Sequence, residues 1–136
     1  MKFTQDWFSH NIPSFQFIMG VLEEKKSFLE IGCFEGRATC WMLENALDAD
    51  GHILCIDTFE GSEEHVGLDL NGLLVRFQQN TDAVKKEGQF LEFYKTTSTN
   101  GLARAISSGY QFDFIYIDGS HTAPDVMTDE IGRAHV

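Results

Sequence analysis

The 136-residue sequence predicts an α/β chain: a Rossmann-like, mostly parallel sheet with helices on both faces. Three observations carry the prediction. Four short apolar runs recur along the chain, and three of them close on glycine or aspartate. Segments with apolar residues at helical spacing lie between the runs, the pattern of β-α-β units. No repeat, low-complexity tract or linker-like stretch divides the chain, whose length suits one domain.

The elements follow in order. Phe15, Ile18, Met19 and Leu22 repeat at helical spacing, predicting an amphipathic helix over Ile12–Glu24 with Pro13 in its first turn. Ser27–Gly32 (SFLEIG) is a short apolar run closed by glycine, a buried strand. Ala38–Leu47 (ATCWMLENAL) returns to helical spacing and stops before the turn pair Asp50-Gly51. His52–Phe59 (HILCIDTF) is the second strand and ends at an acid. Between Glu60 and Glu87 a polar loop leads into a helix that carries Leu70, Leu73, Leu74 and Phe77. Gln89–Thr96 (QFLEFYKT) is the third strand, Leu102–Ser108 a short helix, and Phe112–His121 (FDFIYIDGSH) the fourth strand, ending in Asp-Gly. Right-handed crossovers between parallel strands bring their C-terminal ends to one edge, where open α/β sheets bind ligands.

Composition excludes several classes. Lys and Arg number 10 against 21 Asp and Glu, a net charge of −11 and a pI near 4.7. Such a surface lacks the clustered cations that displace counterions from nucleic acid, so no nucleic-acid partner is expected. With 43% hydrophobic and 12% aromatic residues the chain can bury a core, which excludes disorder. No apolar run reaches the roughly 18–20 residues of a membrane span, and no membrane partner is expected. The opening MKFTQDWFSHNIPSF has polar residues where a signal peptide would be apolar, so a cytoplasmic setting is expected. Cys33, Cys40 and Cys55 form no CxxC and have no His at ligand spacing; they read as small buried hydrophobes.

Three loops fall on the predicted ligand edge. The first, Glu30-Ile31-Gly32-Cys33-Phe34-Glu35-Gly36, joins the first strand to its helix, where glycine permits a sharp turn and free helix N–H groups await a partner. Asp57 ends the second strand, where a carboxylate can accept both hydroxyl hydrogens of a ribose; a solvated strand-end acid is the plainer reading. Asp118-Gly119-Ser120-His121 ends the fourth. There Asp118 can serve as metal ligand, substrate anchor or base, and His121 as base or ligand; a helix-capping turn is the plainer alternative. The glycine loop discriminates among ligands. Counted from Gly32, the second and third glycine places of a dinucleotide loop hold Phe34 and Arg37, so G-x-G-x-x-G fails and Phe34 obstructs a pyrophosphate. A loop that presents Glu30 suits an ammonium or sulfonium group instead, and S-adenosylmethionine carries both, together with a ribose.

On these residues the chain resembles a class I S-adenosylmethionine-dependent methyltransferase, in the branch whose fourth strand ends in I-D-G-S-H. The matching pieces are Phe28-Leu29-Glu30-Ile31-Gly32 with Gly36, Ile56-Asp57, and Phe112-Asp113 through Ile117-Asp118-Gly119-Ser120-His121. The resemblance covers about Phe28 to Asp129. It implies that Glu30, Gly32 and Gly36 frame the methionine end of the cofactor and that Asp57 holds the ribose. Thr97 and Ser98, by their position after the third strand, would lie near the adenine. Cys33, Glu35 and Thr58 complete the implied cofactor-binding set. Asp118 would face the methyl group and the substrate, and Asp118 with His121 forms the implied catalytic pair. Two departures stand out. Many relatives carry a middle glycine where Phe34 stands, and the family fold continues through three further strands.

The four strands are thus expected to be the N-terminal portion of a seven-stranded methyltransferase fold, with residues 1–129 an incomplete domain. Ile131-Gly132-Arg133-Ala134-His135-Val136 is the translation of a common sequencing adapter, ATC GGA AGA GCA CAC GTC, so residues 130–136 are expected to be read-through. The expected reaction is methyl transfer to an oxygen or nitrogen nucleophile of a small molecule. Asp118 would act on the acceptor directly or through a divalent cation such as Mg2+. With the family strand order the apolar fourth strand lies at an edge, so a homo-oligomer or aggregate is expected. Two other readings stand beside this one: a non-catalytic Rossmann-like binding domain, and a nicotinamide-dependent oxidoreductase, which the broken glycine pattern disfavours.

Overall fold

A computed structural model describes residues 2–6, 8–60 and 72–118. The chain runs through a 3-10 turn (Ser9–Asn11), α1 (Ile12–Val21), β1 (Ser27–Ile31), α2 (Arg37–Asn45), β2 (His52–Asp57), α3 (Leu73–Val84), β3 (Phe90–Lys95), α4 (Ser98–Ser107) and β4 (Phe114–Ile117). The four strands form one all-parallel sheet in the order β3-β2-β1-β4. The expected α/β architecture is therefore present.

Side chains alternate between two cores because successive strand residues point to opposite faces. Phe28, Ile53 and Cys55 join Phe15 and Met19 of α1, Met42 and Leu43 of α2, and Leu73 and Phe77 of α3 on one face. Leu29, Ile31, Leu54 and Ile56 meet Tyr94 and, from α4, Leu102 and Ala105 on the other. Burial on both faces explains why β1 and β2 read as unbroken apolar runs rather than alternating ones.

Element ends depart from the sequence reading in instructive ways. Helix α1 stops at Val21, short of Glu24, with Leu22 extended. The Lys25 ammonium donates to the carbonyls of Met19 and Leu22 at 3.3 and 3.4 Å, satisfying the groups a further turn would have paired. Helix α4 begins at Ser98, four residues before the expected Leu102, because the Thr97 hydroxyl accepts the Asn100 N–H and caps it. The carbonyls of Leu43, in the last turn of α2, and of Leu47, just beyond the helix, accept from the buried Gln89 amide at 3.0 and 3.2 Å. Among the described residues no helix is long and apolar enough to cross a membrane. Leu70, the Gly119-Ser120-His121 motif and residues 130–136 lie outside the described residues.

Candidate cofactor site

The parallel register sets where chemistry can gather. Glu30 is level with Cys55 on β2 and Tyr116 on β4, and Asp57 is level with Lys95 on β3. Glu30, Asp57 and Asp118 thus stand at the C-terminal ends of three adjacent strands. Backbone bonds beyond the strands hold these ends together: Gly32 N–H donates to Ile56 C=O at 2.9 Å, and Asp118 N–H to Ile31 C=O at 2.7 Å. Thr97 and Ser98 start α4 at the same edge, since Thr96 N–H donates to Asp57 C=O at 3.0 Å.

The loop from β1 to α2 is sharply turned. Gly32 and Gly36 have φ of 88° and 87°, and Phe34, between them, has φ of 49°, a left-handed value that a bulky side chain rarely takes. Asp57 holds it there. One carboxylate oxygen accepts the Phe34 N–H at 2.9 Å and the other accepts the Phe59 N–H at 2.8 Å. Each oxygen keeps capacity for a further donor. At Gly36 a Cβ would stand 3.0 Å from the Phe77 ring in addition to the strain of its φ, so the second glycine of the loop answers to packing against α3.

Glu30 is 1% exposed and accepts a hydrogen bond from the Thr39 hydroxyl. Burial pushes its pKa up from the ordinary 4.5 to about 8; the Thr39 bond pulls the other way, and the charges of Asp118 and Asp57 push further up. Tyr116, which sequence reasoning passed over, belongs to the same neighbourhood. Its phenol is held well above its usual range, first by burial and then by Asp118 and Glu30, and it accepts from the Asn11 amide at 3.3 Å. The signal was in the alternation: Tyr116 lies two residues before Asp118, on the same face.

The remaining predicted residues divide. Thr58 sits half-buried beside Asp57 and accepts the Glu60 N–H at 3.3 Å. Thr97 caps α4. Cys33 is buried with its thiol directed at the carbonyls of Glu30 and Ile56, both at 3.7 Å, and burial pushes its pKa well up. Glu35 is buried, its carboxylate engaged by Thr4 and Arg76. His121 lies outside the described residues.

The donor sets decide what could be held. Glu30, Cys33 and Cys55 bring one ligand atom each within 4.8 Å of one another, the only such group among the described residues. Two thiols kept protonated by burial are a poor match for Mg2+, which takes hard oxygen ligands. Asp118 belongs to no cluster of three or more candidate metal ligands among the described residues. A cation-bearing organic ligand fits better, because a cation near Glu30 would favour the charged form that burial opposes.

A family model described as a methyltransferase domain covers residues 29–132, most of the chain and all of these strand ends. No curated protein matches.

Proposed function

Since the chain belongs to the methyltransferase-domain family, we propose that it uses S-adenosylmethionine to methylate an oxygen or nitrogen nucleophile of a small molecule. The convergence of Glu30, Asp57 and Asp118 on one sheet edge, around a loop turned on positive φ, is the observation that carries this reading. S-adenosylmethionine supplies a methyl group already activated on a sulfonium.

What the chain contributes is placement and charge. Glu30, beneath the loop, supplies the counter-charge for the cationic end of the ligand. Gly32 and Gly36 give that end a turn without side chains at the two positions. Asp57, with one acceptor site spent on each loop N–H, offers its remaining lone pairs to ribose hydroxyls. Thr97 and Ser98 border the edge at the end of β3, the side assigned to the base. Asp118, half-buried at the end of β4, orients the acceptor nucleophile or takes its proton, and Tyr116 steadies Asp118 from the same strand face. In-line placement of nucleophile, methyl carbon and sulfur accounts for most of the barrier lowering in such a displacement. No step is assigned to a metal ion.

Parallel titrations of S-adenosylhomocysteine and NADH into the chain test the reading. Binding of the first with no binding of the second is expected. Tight NADH binding alone would overturn it, and binding of neither would put a non-catalytic Rossmann-like domain in its place.

A further inference from the structure

The glycine loop is held on its outer side by a polar network that the proposed reaction does not use. Glu35, 1% exposed, accepts the Thr4 N–H at 2.8 Å, the Thr4 hydroxyl at 2.9 Å and Arg76 Nε at 3.1 Å. A buried carboxylate supplied with an amide, a hydroxyl and a guanidinium is committed to its own chain. Asn80, also buried, donates to the Glu35 carbonyl at 3.0 Å and to the Lys2 carbonyl at 2.9 Å, and accepts the Lys2 N–H at 2.6 Å. Arg37 Nε donates to the Gln5 carbonyl at 3.1 Å, and its guanidinium lies 4.4 Å from the centre of the Phe3 ring. The segment Lys2–Asp6 is thereby strapped along the turn Glu35-Gly36-Arg37 and onto α3.

The same turn is gripped from the ligand side through Asp57 and the Phe34 N–H. Phe34 stays at positive φ only while its neighbours fix it on both flanks. We propose that Glu35 is a positioning residue which, by tying the Lys2–Asp6 strap to the glycine loop, makes ligand affinity at the sheet edge depend on that strap. Loss of the outer grip lets Phe34 relax, withdraws its N–H from Asp57 and loosens the carboxylate assigned to the ribose. The inference rests on the reading of that edge as an S-adenosylmethionine site.

Its test uses the full chain and S-adenosylhomocysteine as probe. Glu35→Gln leaves half-buried Arg76 facing a neutral amide and risks the fold, so Thr4→Val, which removes a single hydroxyl donor, is the main variant. Thr4→Val is expected to raise Kd roughly three- to tenfold, the range for one hydrogen bond to a charged group partly absorbed by the turn. Thr4→Ser, which restores the hydroxyl, is expected to return Kd to the wild-type value. In the unaltered chain, saturating ligand is expected to slow hydrogen exchange at the Thr4 amide by a larger factor than at the Phe90–Lys95 amides, a local coupling beyond the general stabilisation that any bound ligand confers. An unchanged Kd in Thr4→Val, no recovery in Thr4→Ser, or exchange at Thr4 slowed no more than at Phe90–Lys95 overturns the proposal while leaving the site reading intact. Failure of the unaltered chain to bind the probe removes both.

Discussion

Glu30 shows how one residue can be obvious in sequence and still behave unexpectedly. A carboxylate before a glycine turn was legible as a cation partner, but its burial under Thr39 was not, because Thr39 lies nine residues on, in the first turn of α2, and nothing local announces the contact. The consequence is a pH dependence of definite sign. The folded chain keeps a proton on Glu30 up to about pH 8, whereas an unfolded glutamate releases it near 4.5. The unfolded state therefore binds fewer protons between those values, and stability from this group is greatest below the lower one. It falls by up to about 1.4 kcal/mol per pH unit through the window and levels off above the folded value. Glu30→Gln keeps an acceptor for Thr39 and removes the titration. Thermal midpoints measured from pH 5 to 8 are expected to drop more steeply for the wild-type chain than for the variant. Parallel profiles would mean that Glu30 is already charged when folded.

At the scale of the element, α4 lies close against the sheet. A Cβ at Gly101 would stand 2.5 Å from Cγ2 and 2.8 Å from Cδ1 of Ile56, a buried side chain on the strand that delivers Asp57. The helix can lie this low only because position 101 has no side chain. Gly101→Ala brings a gain in helix propensity of up to about 1 kcal/mol and an overpacking cost of about 1–3 kcal/mol. A net loss of stability in urea unfolding is expected, with partial recovery in the pair Gly101→Ala, Ile56→Val. An alanine variant more stable than wild type would show that α4 does not rest on Ile56. The same glycine explains why the start of α4 was illegible. Ser98-Thr99-Asn100-Gly101 is a run of poor helix formers, and the cap at Thr97 together with the fit to Ile56 overrides that preference. The strands were legible for the opposite reason, since apolar runs closed by Gly32, Asp57 or Asp118 agree with their tertiary setting. The strap was not legible at all. Thr4 and Glu35 are 31 positions apart, Arg76 and Glu35 41, and Lys2 and Asn80 78, and no periodicity links them.

For the molecule as a whole, sheet order decides how the chain meets its neighbours. With β3-β2-β1-β4, the outer sides of β3 and β4 have no strand partner among the described residues. The two differ in character. Phe90–Lys95 carries Glu92 and Lys95, charges that discourage pairing, whereas Phe114–Ile117 is FIYI, half-buried at every position and without a charge. Net charge of −11 opposes close approach of two copies, but only within a Debye length of about 8 Å at physiological salt. An apolar edge whose outer backbone donors and acceptors have no strand partner among the described residues is then the stronger term once salt is present. The 136-residue chain is expected to self-associate through β4, more so at 0.5 M than at 0.05 M salt. Light scattering across a concentration series would show the mass rise, and amide exchange at Phe114–Ile117 would slow with it while that of Phe90–Lys95 stays constant. A single monomeric mass at both salts would show that the outer side of β4 is already covered within one copy. Slowing confined to β3 would place the association on the opposite edge.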